Sequence, residues 1–243
     1  MTPFWVALQF LTRIPTPEQS ELSAQNLGRS VLYYPLIGLI IGVCLLIVAW
    51  LTQGMATGLS AALVLAVWVA ITGALHLDGL ADSVDAWVGG YGDRARTLAI
   101  MKDPACGAMA VTALVIVLLL KFAAISVLIE QQAWSLLLLA PVLGRASVVA
   151  LLNWTPYVRP QGLGAALVES LPKDKVPWLL GVVILFAVAV AGWGTTVMVL
   201  LFAGTVYALL RASMMKRLAG TTGDTAGAVL EFIELVVLIV LVA

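Results

Sequence analysis

The stretch Gly58–Leu77 reads GLSAALVLAVWVAITGALHL, and Asp78-Gly79-Leu80-Ala81-Asp82-Ser83-Val84-Asp85 follows it without a gap. The first part is long and apolar enough to cross a bilayer. In the second, the aspartates recur at i, i+4 and i+7, so a helix would line three carboxylates along one face. Acids are favoured in the first turn of a helix, which offers a structural explanation for one of them. Three on one stripe repel one another, and a divalent cation would relieve that repulsion. Metals held by carboxylates commonly serve phosphate chemistry.

Composition supports the membrane reading. Of 243 residues 62% are hydrophobic and 11% charged, and the mean hydropathy is +1.08. The expected fold is an all-α, polytopic integral membrane bundle. Apolar runs near 31–51, 58–77, 108–129, 133–152, 177–193, 194–212 and 226–243 predict about seven transmembrane helices. The fifth and sixth are joined by little more than Gly192-Trp193-Gly194, where a two-span hairpin fits the total length and one span plus a re-entrant piece is the alternative. Phe4 to Leu11 is shorter and reads as an interfacial or re-entrant segment rather than a cleaved leader.

The basic residues set the orientation. Arg13 and Arg29 precede the first span. Arg94, Arg96 and Lys102 lie between the second and third, and Arg159, Lys173 and Lys175 between the fourth and fifth. Arg211, Lys216 and Arg217 lie between the sixth and seventh. Eleven of the thirteen Lys and Arg residues thus fall on alternate connections, which predicts a cytoplasmic N-terminus and an aspartate motif facing the cytoplasm. We read residues 1–243 as one integral membrane domain, with the connection 78–107 as its cytoplasmic, chemical part.

The formal net charge is zero, which points to no nucleic-acid partner. Cys44, Cys106 and the lone His76 give neither a disulfide framework nor a zinc site. Lys121 and Arg145 fall within spans, as do Glu231 and Glu234. Intramembrane charges are costly and usually face partners or a polar cavity. Arg145, after Gly144, is expected to reach the acidic site or a phosphate. Lys121 either pairs with a glutamate or snorkels, and Glu234 reads as structural.

Two further clusters bear on chemistry. Arg94, Arg96 and Lys102 are suited to phosphate oxygens, although the arginines also serve topology. In Thr222-Gly223-Asp224-Thr225-Ala226-Gly227-Ala228-Val229-Leu230-Glu231, the acids stand seven apart on one face and Gly227 leaves room for close approach. Asp224 reads either as a helix-start acid or as a ligand on the same side as Asp78. Asp78, Asp82, Asp85 and Asp224 are the expected metal ligands, with Glu231 as a fifth. Asp82 is the first choice for an essential carboxylate, as ligand or as base. His76 braces the site or serves as general base. Such a site suits transfer between a phosphoanhydride and an acceptor hydroxyl, helped by Mg²⁺.

Asp78-Gly79-Leu80-Ala81 resembles the opening of the CDP-alcohol phosphotransferase motif, but Asp82 stands where that motif has Arg and the later spacing departs. A fuller resemblance is to the cobalamin synthase family, the adenosylcobinamide-GDP ribazoletransferases. It is carried by Phe10-Leu11-Thr12-Arg13-Ile14-Pro15, Tyr34-Pro35-Leu36-Ile37-Gly38 and His76 to Asp82. Asp93-Arg94, Met101-Lys102-Asp103, Gly144-Arg145 and Thr222-Gly223-Asp224 with Gly227-Ala228 and Glu231 continue it. The resemblance implies an Mg²⁺-dependent transferase of cobalamin biosynthesis in the cytoplasmic (inner) membrane of a prokaryote. Its substrates would be adenosylcobinamide-GDP and α-ribazole or its 5′-phosphate, with GMP as leaving group, and a homo-oligomer is compatible with it. The rival readings are a CDP-alcohol-type lipid phosphotransferase and a secondary transporter using the intramembrane charges.

Overall fold

The computed structural model describes residues 3–17, 23–160 and 163–243. Among them the chain is helical throughout, with one isolated bridge, Tyr157 to Thr221, and no strand. Two short helices open it, α1 (Pro3–Leu11) and α2 (Ala24–Ser30). The Ser23 side chain caps α2 by accepting from the Asn26 amide at 3.2 Å. The first full-length helix is α3 (Tyr34–Leu51), with Pro35 in its first turn.

The next apolar run does not continue straight into the aspartates. It ends as α4 (Thr57–Thr72), and Gly73 (φ 61°) and Ala74 (φ 56°) both turn left-handed. The chain then restarts as α5 (Leu75–Gly89), bent by 86° from α4. Left-handed backbone is natural for Gly73 but costs Ala74 about 1–2 kcal/mol, so the surroundings must hold the elbow. Arg13 does this. Its amide donates to the Ile71 carbonyl at 2.7 Å, and its side chain occupies the space a Cβ would need at Gly73. The expectation that His76 and Leu77 end a span is therefore corrected: both belong to α5, which turns away from the membrane pass before it.

Beyond α5 lie α6 (Arg94–Ile100), α7 (Ala108–Glu130), α8 (Leu139–Trp154), α9 (Leu163–Glu169), α10 (Val176–Leu218) and α11 (Gly223–Val242). The 43 residues of α10 would make a straight helix about 65 Å long, twice the hydrocarbon thickness. Gly192 breaks it with a non-helical backbone, φ 79° and ψ 167°. Leu180, Val183 and Ile184 before the break line one cavity with Leu200, Ala203, Gly204 and Tyr207 after it. The two arms therefore fold back on each other, as the hairpin reading expected. Among the described residues five helices are long and apolar enough to cross a membrane, the kinked α10 counted once, and the bent pair α4–α5 would make a sixth.

The bundle has two distinct ends. At one, Thr52 after α3 meets Ser60 of α4, their hydroxyl oxygens 2.5 Å apart. At the other, the starts of α7 and α11 gather with the ends of α4, α8 and α10. Arg211 there donates to the Trp154 carbonyl at 2.8 Å, and Arg217 donates to the Trp87 carbonyl at 2.6 Å. The core lies between α3, α8 and α11, with Ile37, Ile41, Val149, Leu151, Val229 and Leu230 fully buried. Trp178, Leu185, Trp193 and Leu209 stand exposed on α10, an outward apolar face suited to lipid. The chain is a multi-pass helical membrane protein.

Candidate active site

Two helices carry the acids and pack on each other through glycines. A Cβ at Gly79 would lie 2.8 Å from the Asp224 carbonyl oxygen, and one at Gly227 would lie 3.3 Å from His76 Cα. Small residues on both sides let α5 and α11 approach backbone to backbone, as is usual where membrane helices meet. The start of α11 is fixed by a capping box in which Thr222 accepts from the Thr225 amide at 3.2 Å and the Thr225 hydroxyl accepts from the Thr222 amide at 2.8 Å. Its position is set further by exchange with the segment after α8: Val158 N donates to Thr221 O at 2.9 Å and Thr221 N to Pro156 O at 2.8 Å.

That exchange delivers a cation to the acids. Arg159 Nη2 lies 2.8 Å from Asp224 Oδ2, both side chains about one-fifth exposed. Asp78 and Asp224 line one cavity of about 190 Å³ with His76, Gly79, Tyr157 and Tyr34. Asp82, one turn beyond Asp78, shares their field. Burial pushes its carboxyl up to about 6, the negative charges of Asp78 and Asp224 reinforce the rise, and Arg159 opposes it. Spacing set Asp78 and Asp82 on one face of α5, and the fold brings Asp224 of α11 to the same cavity as Asp78.

Asp85 is placed differently. Its Oδ2 accepts from the Gly107 amide at 2.5 Å and its Oδ1 from the Ala110 amide at 3.0 Å. It caps the N-terminus of α7, a helix whose own N-cap residue, Gly107, has no side chain for the task. The i+7 spacing placed it on the right face but could not reveal that α7 would begin there.

Glu231 and Arg145 do not fit the roles expected of them. Lys121 Nζ lies 2.6 Å from Glu231 Oε2 and 2.5 Å from Glu234 Oε2, and Arg145 Nη1 pairs with Glu234 Oε1. All four are buried, with Arg145 wholly inaccessible. Lys121 also sits 4.6 Å from the centre of the Trp68 ring. Two positive and two negative charges neutralise one another inside the bundle, which is how such groups are tolerated in a membrane. Seven residues of helix put Glu231 about 10 Å deeper than Asp224, out of reach of the mouth of the site.

His76 is buried, and its Nδ1 has no hydrogen-bond partner. Burial, and then the charges of Arg145 and Lys121, lower its pKa well below the ordinary value, so it is neutral near pH 7. Arg94 and Lys102 are exposed on either side of α6. Asp93 caps that helix by accepting from the Arg96 amide at 2.8 Å. Met101, next to Lys102, is buried with its Sδ 3.8 Å from Thr222 Oγ1, so this turn abuts the start of α11. Arg159, Tyr157 and Tyr34 were not singled out from the sequence as site residues. Arg159 was read for topology alone, although its place between Val158 and Pro160 in a short extended segment marks it as held.

Among the described residues no group of three or more His, Cys, Asp or Glu stands close enough together to hold a metal ion by itself. Asp78, Asp82 and Asp224 are the groups able to supply carboxylates to one.

Comparison with known proteins identifies the family. The family model described as Cobalamin-5-phosphate synthase matches residues 3–242. The chain belongs to this family. A protein of Pseudomonas putida named adenosylcobinamide-GDP ribazoletransferase is 53% identical over 239 residues, covering 98% of each chain. Proteins of the same name from Pseudomonas syringae pv. syringae and Stutzerimonas stutzeri are 54% and 51% identical, covering 99% and 98% of this chain and 99% and 97% of their own. No solved structure matches. This member of the cobalamin-5-phosphate synthase family is thus a membrane-embedded transferase whose acids gather at one end of the bundle.

Proposed function

We propose that the protein joins adenosylcobinamide-GDP to α-ribazole or α-ribazole 5′-phosphate, releasing GMP, with Mg²⁺ held by Asp78, Asp82 and Asp224. The observation that carries this reading is the apposition of α5 and α11, which sets Asp78 and Asp224 on one cavity with Arg159 beside them. The bound ion supplies neutralisation of the diphosphate and stabilisation of the leaving GMP. Arg159 pairs with Asp224 until a phosphate arrives, and its planar guanidinium is matched to phosphate oxygens. Arg94 and Lys102, exposed on the connection between α5 and α7, add positive charge that draws the diphosphate in. Asp82, where it does not ligate the ion, takes the proton of the ribose hydroxyl as it attacks the phosphate of the cobinamide arm. The site faces the cytoplasm of a prokaryotic inner membrane, on the side that collects the basic connections.

The test is GMP release by the purified protein in liposomes supplied with adenosylcobinamide-GDP, α-ribazole 5′-phosphate and Mg²⁺, with and without EDTA. Mg²⁺-dependent GMP together with a cobalamin product establishes the reaction. Folded protein that yields neither removes it. Preference for a guanine over a cytosine nucleotide separates this activity from that of a lipid phosphotransferase. For transport, the four intramembrane charges are already spent on one another.

A further inference from the structure

The helix that carries the acids has a second face, and that face borders a different cavity. Leu80 follows Asp78 by two residues and Val84 follows Asp82 by two, about half a turn round α5. On this opposite side Leu80, Val84 and Val88 line a groove of about 290 Å³ with Leu210 and Met214 of α10 and Phe232 of α11. The hydroxyls on its border are paired or sealed. Ser213 accepts from Trp87 Nε1 at 2.8 Å, Thr225 belongs to the capping box of α11, and Ser83 Oγ is buried below the surface. A polar ligand would leave its own groups unpaired in this groove, and hydrocarbon would not. Phe232 stands nine residues beyond Gly223, the first residue of α11. That is about 14 Å along the axis, close to the roughly 15 Å of hydrocarbon in one leaflet.

The end of the groove nearest the helix termini is positively charged. Arg217, one turn beyond Ser213, donates from Nη1 to the Trp87 carbonyl at 2.6 Å, and its guanidinium lies 5.4 Å from the centre of the Trp87 ring. These contacts hold it in place while using one of its five N–H donors. Lys216 beside it is exposed. None of the ion pairs among the described residues involves either side chain.

We propose that this groove binds an anionic phospholipid, with one acyl chain between α5, α10 and α11 and the headgroup phosphate on Arg217 and Lys216. Basic pockets between membrane helices take acidic headgroups in this way. The pinned guanidinium of Arg217 offers the phosphate a planar set of donors, and Lys216 adds a second, mobile charge. A zwitterionic lipid brings the same chain and phosphate, but its headgroup also carries a cation that the two basic residues repel. The inference rests on the membrane fold and not on the transferase reading. Its consequence for the candidate active site is mechanical: the acyl chain fills the space behind α5, so the helix bearing Asp78 and Asp82 is backed by lipid.

Native mass spectrometry of the full-length protein, released from detergent micelles holding equal amounts of phosphatidylglycerol and phosphatidylcholine, tests the assignment without turnover. The protein should retain phosphatidylglycerol with about tenfold preference, and that lipid should raise its melting temperature in detergent. Lys216→Gln should reduce the preference. Arg217→Gln should remove it and Arg217→Lys should restore most of it. Leu210→Trp should release the lipid by filling the groove. Equal retention of the two lipids, or undiminished retention of phosphatidylglycerol by folded Leu210→Trp protein, overturns the proposal. A dimer that Leu210→Trp splits would also overturn it, by giving the groove to a second copy of the chain.

Discussion

Gly79 on α5 faces the backbone of Asp224 on α11 so closely that a Cβ there would meet its carbonyl oxygen at 2.8 Å. A hydrogen at this position is what lets the two acid-bearing helices share one cavity. Gly79→Ala should therefore push α5 and α11 apart. Overpacking of this kind costs about 1–3 kcal/mol, and small displacements cost catalysis more than stability. We expect GMP release to fall at least tenfold while the melting temperature in detergent drops by only a few degrees. A variant with normal turnover would show that the close approach is dispensable.

Asp82→Asn should abolish turnover while leaving the protein inserted and folded. Removal of a positioned acid or base commonly costs 10²–10⁴-fold. The measurement is GMP release alongside size-exclusion behaviour and melting temperature. Normal release from the variant would exclude Asp82 from the chemistry.

Asp85→Ser should behave otherwise. A serine keeps one acceptor but is shorter than the carboxylate that serves two amides, so α7 should lose about 1–3 kcal/mol while staying folded. Mg²⁺ dependence should stay that of the parent protein, whereas Asp78→Asn and Asp224→Asn should each shift it to higher concentration. Titration of GMP release against Mg²⁺ for the three variants distinguishes a cap from a ligand. A large shift in Asp85→Ser would return this residue to the ligand set.

Glu234→Gln should be the most destabilising of these changes. It leaves the Arg145 guanidinium buried without its compensating carboxylate, at a cost of about 3–5 kcal/mol. We expect a much reduced folded yield. The fraction that folds should keep its KM for adenosylcobinamide-GDP, because Arg145 is sealed inside the bundle. A selective rise in that KM with intact folding would give Arg145 back a phosphate.

Much of this was legible in the sequence because hydrophobic runs and charge alternation report passes directly. The break at Gly73 and Ala74 was not. Hydropathy has no direction, and alanine, a good helix former, gives no sign that it will turn left-handed. The acids of α5 were legible from spacing, since i and i+4 stay on one face and at nearly one depth. Asp224 and Glu231 share a face too, but seven residues along a membrane-spanning helix change the surroundings from interface to interior. Arg159 lies far from the acids in sequence, and its approach depends on the Val158–Thr221 exchange, a tertiary contact no local pattern encodes.

The buried quartet of Lys121, Arg145, Glu231 and Glu234 has a bearing on how the chain is made. Its cations ride on α7 and α8, which leave the ribosome before α11 brings both anions. Until α11 arrives, two nascent helices carry uncancelled charge and are poorly suited to lipid. α11, made after both, is thus the helix that cancels their charge. Removing it would unsettle helices made well before it, so a chain truncated before Glu231 should go to membrane quality control rather than survive as a shorter, partly active protein.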